Sequence, residues 1–156
     1  MKEQEQARIL VIDDDVAVRK SHEVVLKANG YEVDVAETGK EAIAKSKAKL
    51  YNLALVDLRL PDMDGIELLT AMRDTTPKMV KIIITGYPSL DNSIEAVNRG
   101  ADGYIVKPYS MENLLRTIRE HLQKQQEAKK YSEEKVKEFI EARAEEHERK
   151  ARAKRR

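Results

Sequence analysis

Ala54-Leu55-Val56-Asp57-Leu58-Arg59-Leu60-Pro61-Asp62-Met63-Asp64-Gly65 decides how the rest of the chain is read. A short apolar run ends abruptly in an aspartate, and a turn with Pro61 and Gly65 follows. Leu53 to Val56 has the length and character of a buried strand. Asp57 then sits at the strand's C-terminal tip, where buried backbone opens to solvent. Asp64 reads as the N-cap of the next helix. Two readings of Asp57 compete at this point: an incidental strand-end acid, or part of a site.

The neighbouring segments repeat the pattern. Arg8 to Ile12 is an apolar strand ending in Asp13-Asp14-Asp15. A helix over Val16 to Ala28 follows, with Val18, Val24, Val25 and Ala28 at helical spacing and Asn29-Gly30 as its stop. Tyr31 to Ala36 alternates apolar and polar, which predicts a half-buried strand near a sheet edge. Thr38-Gly39 opens a helix from Lys40 to about Lys49, with Ala42, Ile43 and Ala48 on one side. After Asp64 a helix carries Ile66, Leu68, Leu69 and Met72 and stops before Pro77. Met79 to Ile84 is a strand ending in Thr85-Gly86. Ser89 to Gly100 is a helix with Ile94 and Val97 inward. Tyr104 to Val106 is a short strand ending in Lys107-Pro108. Ser110 caps a last helix that turns Leu114, Leu115, Ile118 and Leu122 to the core.

Five strands alternating with five helices, the strands being apolar runs, imply a parallel sheet covered on both faces. Right-handed crossovers make this a doubly wound α/β fold. Ligands of such sheets bind at the C-terminal strand edge. That edge gathers Asp13 and Asp14, Asp57, Thr85 and Lys107. Two carboxylates ~4 Å apart repel by roughly 4 kcal/mol at an effective dielectric of ~20. Lys107 alone does not balance three. A hard divalent cation with oxygen ligands does, and Mg²⁺ suits carboxylates, waters and a phosphate. His22, His121 and His147 fall in predicted helices outside this cluster, which argues against zinc. Aspartate as nucleophile toward phosphorus, with a lysine and a hydroxyl for the other oxygens, points to phosphoryl transfer.

These residues together resemble the receiver domain of two-component response regulators. The match covers Arg8 to Leu122. It rests on the acidic pair Asp13-Asp14, on Asp57 followed by Pro61 and Asp64-Gly65, and on Thr85, Tyr104 and Lys107-Pro108. The resemblance implies a flavodoxin-like sheet of strand order 2-1-3-4-5. It implies that Asp57 takes a phosphoryl group from a histidine kinase's phosphohistidine. Mg²⁺ would be bound by Asp14, Asp57 and the backbone carbonyl of Arg59, with Asp13 acting mostly through water. Lys107 would pair with the acyl phosphate, Thr85 would move inward to bond a phosphoryl oxygen, and Tyr104 would follow it. A cis Lys107-Pro108 bond is also implied, as is a switch rather than an enzyme. Leu60 stands where the family often has Met. Arg59 and Tyr87 are large residues flanking the expected phosphate, and they predict a long-lived phosphoryl group.

The chain has 156 residues, 37% of them charged and 4% aromatic, with formal net charge +1 and no Cys. No global charge bias points to nucleic acid or membrane. Thiol catalysis, thiolate metal sites and disulfides are excluded. The polar start, Met1 to Ala7, lacks an apolar signal core, and no run suits a bilayer. A cytoplasmic protein is the default expectation.

Residues 8–122 read as the receiver domain and 123–156 as a charged helical extension. Within the extension, Ser132-Glu133-Glu134 looks like a helix N-cap, so an extended or broken helix is expected. Val136, Phe139 and Ile140 form a small apolar patch, a candidate for docking on the receiver or on a second copy. The basic end, Arg149 to Arg156, is short and lacks aromatics, which argues against nucleic acid. Two other functions fit parts of the sequence. A phosphatase of the haloacid dehalogenase type would use Asp13 as nucleophile, but its later acidic pair and cap domain are not visible. A phosphorylation-independent interaction module would lack one of the acids or Lys107, and none is missing.

Overall fold

The computed structural model describes residues 6–72 and 78–155. Its element order is β1 (Arg8–Ile12), α1 (Val16–Ala28), β2 (Glu32–Ala36), α2 (Gly39–Ala48), β3 (Leu53–Asp57), α3 (Gly65–Ala71), β4 (Val80–Thr85), α4 (Leu90–Asn98), β5 (Gly103–Val106) and α5 (Met111–Lys154). The sheet is parallel, in the order β2-β1-β3-β4-β5. This is a flavodoxin-like α/β fold, and β2 is an edge strand, as its alternating sequence predicts.

The two-residue period of a strand sends its side chains to opposite faces. Leu10, Ile12, Ala54, Val56 and Ile83 face one layer, where they pack with Ala42, Ile66, Leu68, Leu69 and Ala96 from α2, α3 and α4. Ile9, Val11, Leu53, Leu55, Ile82 and Ile84 face the other, against Leu26 of α1 and Leu114, Ile118 and Leu122 of α5. Each such side chain contributes about 1.5–3 kcal/mol on burial. This two-sided demand explains the unbroken apolar runs Ile9–Ile12 and Leu53–Val56, and why β4 is apolar apart from Lys81 and Thr85.

Helix ends follow local chemistry. The Asp15 carboxylate accepts from the Ala17 and Val18 amides, and Asp64 accepts from Ile66 N. Thr38 and Ser89 cap α2 and α4 through the Glu41 and Asn92 amides. Each such cap contributes about 1 kcal/mol. Gly30, at φ +88°, follows the Asn29 C-cap of α1, in the left-handed region that glycine enters without a Cβ clash.

The structure corrects several expectations about helix faces. On α1 the buried residues are Arg19, His22 and Leu26, while Val24 and Ala28 are exposed. The helix spans Val16–Ala28 as expected, and two polar side chains that find partners inside take the inner stripe with Leu26. On α2, Ser46 takes the inner position and Ala48 is exposed; the Ser46 hydroxyl donates to Ile43 O. On α4, Ile94 and Val97 are 50% and 65% exposed and only Ala96 is buried. A methyl-sized side chain is what α4 turns to the layer below, and its larger apolar residues face out. The helix stop at Pro77 lies outside the described residues; α3 ends at Ala71.

The chain divides into two compact units, Met1–Leu122 and Gln123–Arg156. Helix α5 contributes Leu114, Ile118 and Leu122 to the first unit's core. Ser132 lies inside α5 and caps no new helix, because α5 is unbroken from Met111 to Lys154. Alanine-, glutamate-, lysine- and arginine-rich sequence favours that continuity. In the second unit Tyr131, Val136, Phe139 and Ile140 are all exposed. Among the described residues no helix is long and apolar enough to cross a membrane.

Candidate functional site

The parallel register brings the ends of β1 and β3 side by side, pairing Ile12 with Val56. Asp13 and Asp14 follow β1, and Asp57 ends β3. One carboxylate oxygen from each of Asp13, Asp14 and Asp57 lies within 4.8 Å of the others. Asp13 is only 6% exposed, Asp57 is half-buried and Asp14 is exposed. The cluster is therefore open on one side and rooted in the sheet on the other.

Burial is the main force on Asp13. It pushes the carboxyl up to about 6, and the charges of Asp57 and Asp14 push the same way. The amide of Asp15, which donates to Oδ1 at 2.9 Å, and the charge of Lys107 oppose it. Three oxygens of this kind form a hard donor set, and their mutual repulsion is relieved by a cation. The residues present thus fit a divalent oxygen-liganded metal.

Backbone contacts fix the surrounding loops. Arg19, buried on α1, donates from Nη1 to the Asp13 carbonyl at 2.7 Å and from Nη2 to Glu37 Oε1 at 3.0 Å. Gly65 brings the turn after Asp57 back onto the strand: its amide donates to Leu58 O at 2.8 Å, and a Cβ there would lie 2.3 Å from Asp57 O. Only glycine fits that approach. Asp62 accepts from the Gly39 and Lys40 amides at 2.8 and 3.0 Å, tying the same turn to the start of α2. The Arg59 amide reaches Asp57 Oδ1 at 3.2 Å.

The other strand ends complete the edge. Thr85 is 1% exposed, and its hydroxyl accepts from Tyr87 N at 3.0 Å. The Lys107 amide donates to Thr85 O at 2.8 Å, and the Lys107 side chain runs beside Gly86. The Lys107-Pro108 bond is cis. Tyr104 is half-buried on β5 opposite Ile83, and its hydroxyl has no hydrogen-bond partner among the described residues. The Arg59 guanidinium stacks 3.9 Å over the Tyr87 ring, so the two large residues after Asp57 and Thr85 meet each other.

Sequence reasoning placed every histidine away from the cluster. His22 and His121 do lie on helices, as does His147. Yet His22 lines a small cleft together with Asp13 and Asp57. Arg19 and Asp62 were likewise not singled out. For His22 and Arg19 a signal existed in their spacing: with Leu26 they occupy the i, i+3, i+7 stripe of one helix face. For Asp62 no local signal exists, because its partners are main-chain amides 22 and 23 residues away.

A family model described as the response regulator receiver domain matches residues 9–119. Among solved structures, a CheY-like response regulator receiver domain protein from Methanospirillum hungatei is 45% identical, with a TM-score of 0.76, covering 80% of this chain and 99% of that one. A response regulator protein from Burkholderia pseudomallei, solved with a phosphorylated aspartic acid, calcium ion and citrate, is 29% identical at a TM-score of 0.69, covering 79% of this chain and 72% of that one. The transcriptional regulatory protein ZraR of Klebsiella oxytoca is 37% identical over 118 residues, which are 76% of this chain and 27% of that protein. The response regulator MprA of Mycolicibacterium vanbaalenii is 35% identical over 112 residues, 72% of this chain and 48% of that protein. The chain thus spans between about a quarter and a half of the length of these two relatives.

Proposed function

The chain belongs to the response regulator receiver domain family, and from that premise we propose that Asp57 is the phosphoacceptor of a histidine-kinase-driven switch that works with Mg²⁺. Receiver domains accept phosphoryl groups and are not a catalytic enzyme family, and the acidic pocket of Asp13, Asp14 and Asp57 serves phosphorylation. One observation carries the assignment of roles: the three carboxylates converge at the strand edge that also holds Thr85 and Lys107.

An Asp57 carboxylate oxygen attacks the phosphorus of a phosphohistidine. The new P–O bond forms as the P–N bond breaks, and the electron pair leaves with the imidazole nitrogen. Asp14, Asp57 and the backbone carbonyl of Arg59 would hold Mg²⁺, with Asp13 acting through water, and the ion would supply positive charge against the phosphoryl oxygens. Asp13, buried and pressed by its neighbours, favours the cation-bound form of the pocket. Lys107 approaches past Gly86 and pairs with the acyl phosphate.

The Thr85 hydroxyl now accepts from Tyr87 N and keeps its own proton for a phosphoryl oxygen. Tyr104, whose buried hydroxyl lacks a partner among the described residues, gains by moving once Thr85 shifts. An unsatisfied buried hydroxyl costs about 1–3 kcal/mol. Residues 8–122 act as this receiver unit. The extension, 123–156, offers its exposed Val136, Phe139 and Ile140 to a downstream protein or a second copy.

Beryllofluoride with Mg²⁺ stands in for the aspartyl phosphate and tests the switch. NMR shifts at Thr85, Tyr104 and Lys107 are expected on addition. A spectrum that does not change would leave a module that phosphorylation does not control.

A further inference from the structure

We propose that His22 and Tyr109 are a positioning pair: their hydrogen bond pins the segment after β5 to α1 and so sets the approach of Lys107 to Asp57. The inference rests on the assignment of Asp57 as phosphoacceptor and adds two residues outside the family motifs quoted above.

His22 is 3% exposed on α1. Its Nδ1 lies 2.6 Å from Val18 O. A carbonyl only accepts, so Nδ1 donates to it. Tyr109 Oη lies 2.6 Å from His22 Nε2 and is hydrogen-bonded to it. The bond joins residues 87 apart in sequence, and the two rings pack tilted at a centroid distance of 5.9 Å.

The pair lies against the acidic pocket. His22 lines a cleft with Asp13 and Asp57. Burial first, then the charges of Asp13 and Asp57, push the Tyr109 phenol up to about 12. It stays protonated and able to donate. Tyr109 is two residues from Lys107, and the residue between them is Pro108, whose ring fixes φ. The Lys107 amide is tied to Thr85 O on the other side. Lys107 is therefore held between an anchor on β4 and an anchor on α1.

The test uses acetyl phosphate as phosphodonor with saturating Mg²⁺ on the full chain. Phosphorylation rate is measured against donor concentration for wild type, Tyr109→Phe, His22→Leu and the double variant. Each single change is expected to lower the maximal rate by roughly three- to tenfold, the worth of one hydrogen bond. The donor concentration for half-maximal rate and the affinity for Mg²⁺ stay unchanged. The double variant is no slower than the slower single, because both remove one bond. Tyr109→Phe keeps the ring and its packing, so it remains informative if His22→Leu does not fold. A Tyr109→Phe protein with lower melting temperature and a wild-type rate would overturn the proposal, as would additive losses. Failure of the underlying assignment looks different: wild type would gain no phosphoryl group, or Asp57→Ala would still gain one.

Discussion

Replacing Asp13 by Asn is predicted to make the metal-free protein more stable, although it removes a residue of the pocket. The Asp13 carboxylate sits 6% exposed, with oxygens of Asp14 and Asp57 within 4.8 Å. At that distance one pair repels by about 3 kcal/mol at an effective dielectric of ~20. The carboxyl is raised from 3.8 to about 6, which corresponds by linkage to roughly 3 kcal/mol lost by the native state when the group ionises. The shift is led by burial and already contains the repulsion from Asp57 and Asp14, so the two figures are not summed. The shift is already net of the opposing Asp15 amide and Lys107 charge, so about 3 kcal/mol is expected above pH 7. The amide carbonyl of Asn still accepts from Asp15 N, so the loop is retained.

The sign follows from the raised value. A carboxyl whose folded pKa lies above its unfolded one favours folding in full below 3.8 and loses that contribution as pH rises through about 6. Urea unfolding in EDTA should therefore show the variant ahead of wild type at pH 8, with the gap closing by about pH 4. Added Mg²⁺ should stabilise wild type by about 2.7 kcal/mol at a hundred times its dissociation constant, and the variant by less. Equal stabilities at pH 8 in EDTA, or a gap that persists unchanged to pH 4, would refute the electrostatic reasoning.

Three further outcomes are expected. Gly65→Ala places a methyl against Asp57 O and Leu58 Cα; it should cost about 1–3 kcal/mol in chemical denaturation and abolish phosphorylation, and a normally stable, normally phosphorylated variant would show that the turn is not as tight as described. Tyr51 donates to Asp34 Oδ2 at 2.6 Å, and this bond, ahead of the Lys49 charge, holds the Asp34 carboxyl below its usual value. That stability is present above the unfolded carboxyl's pKa and is lost as pH falls through the lowered folded value. Tyr51→Phe should lose about 1–2 kcal/mol at pH 7 and much less in acid, as followed by thermal melting across pH. Arg59 and Tyr87 stack beside the site, so Arg59→Ala and Tyr87→Ala should each shorten the phosphoryl lifetime after donor removal; unchanged decay, or a wild-type decay complete within seconds, would remove the stack from the mechanism.

The sheet was legible because its strands are buried on both faces. Such strands leave runs like Ile9-Leu10-Val11-Ile12 that admit little else, and acids, a threonine and a lysine at their ends fall on one edge by topology alone. Helix faces were less legible. Ile94 and Val97 have the spacing of a buried stripe, yet α4 rests on Ala96, and spacing alone does not reveal which side of a short helix meets the layer below. Arg19 and His22 share a helix face with Leu26, but spacing does not show what satisfies their polar groups there: the Asp13 carbonyl, Glu37 and Tyr109. Ser132 carries an N-cap signal that a helix already in progress overrides. In the site, the carboxylates were recoverable from pattern, whereas the pairing of Arg59 with Tyr87 required the loops themselves.

The central claim is that Asp57 receives the phosphoryl group. Incubation of wild type and Asp57→Ala with acetyl phosphate and Mg²⁺, followed by intact-mass measurement, tests it most directly. Wild type should gain the mass of one phosphoryl group and Asp57→Ala none. A phosphoryl group on the Asp57→Ala protein, for instance on Asp13 as a phosphatase of the haloacid dehalogenase type would carry it, would contradict the account.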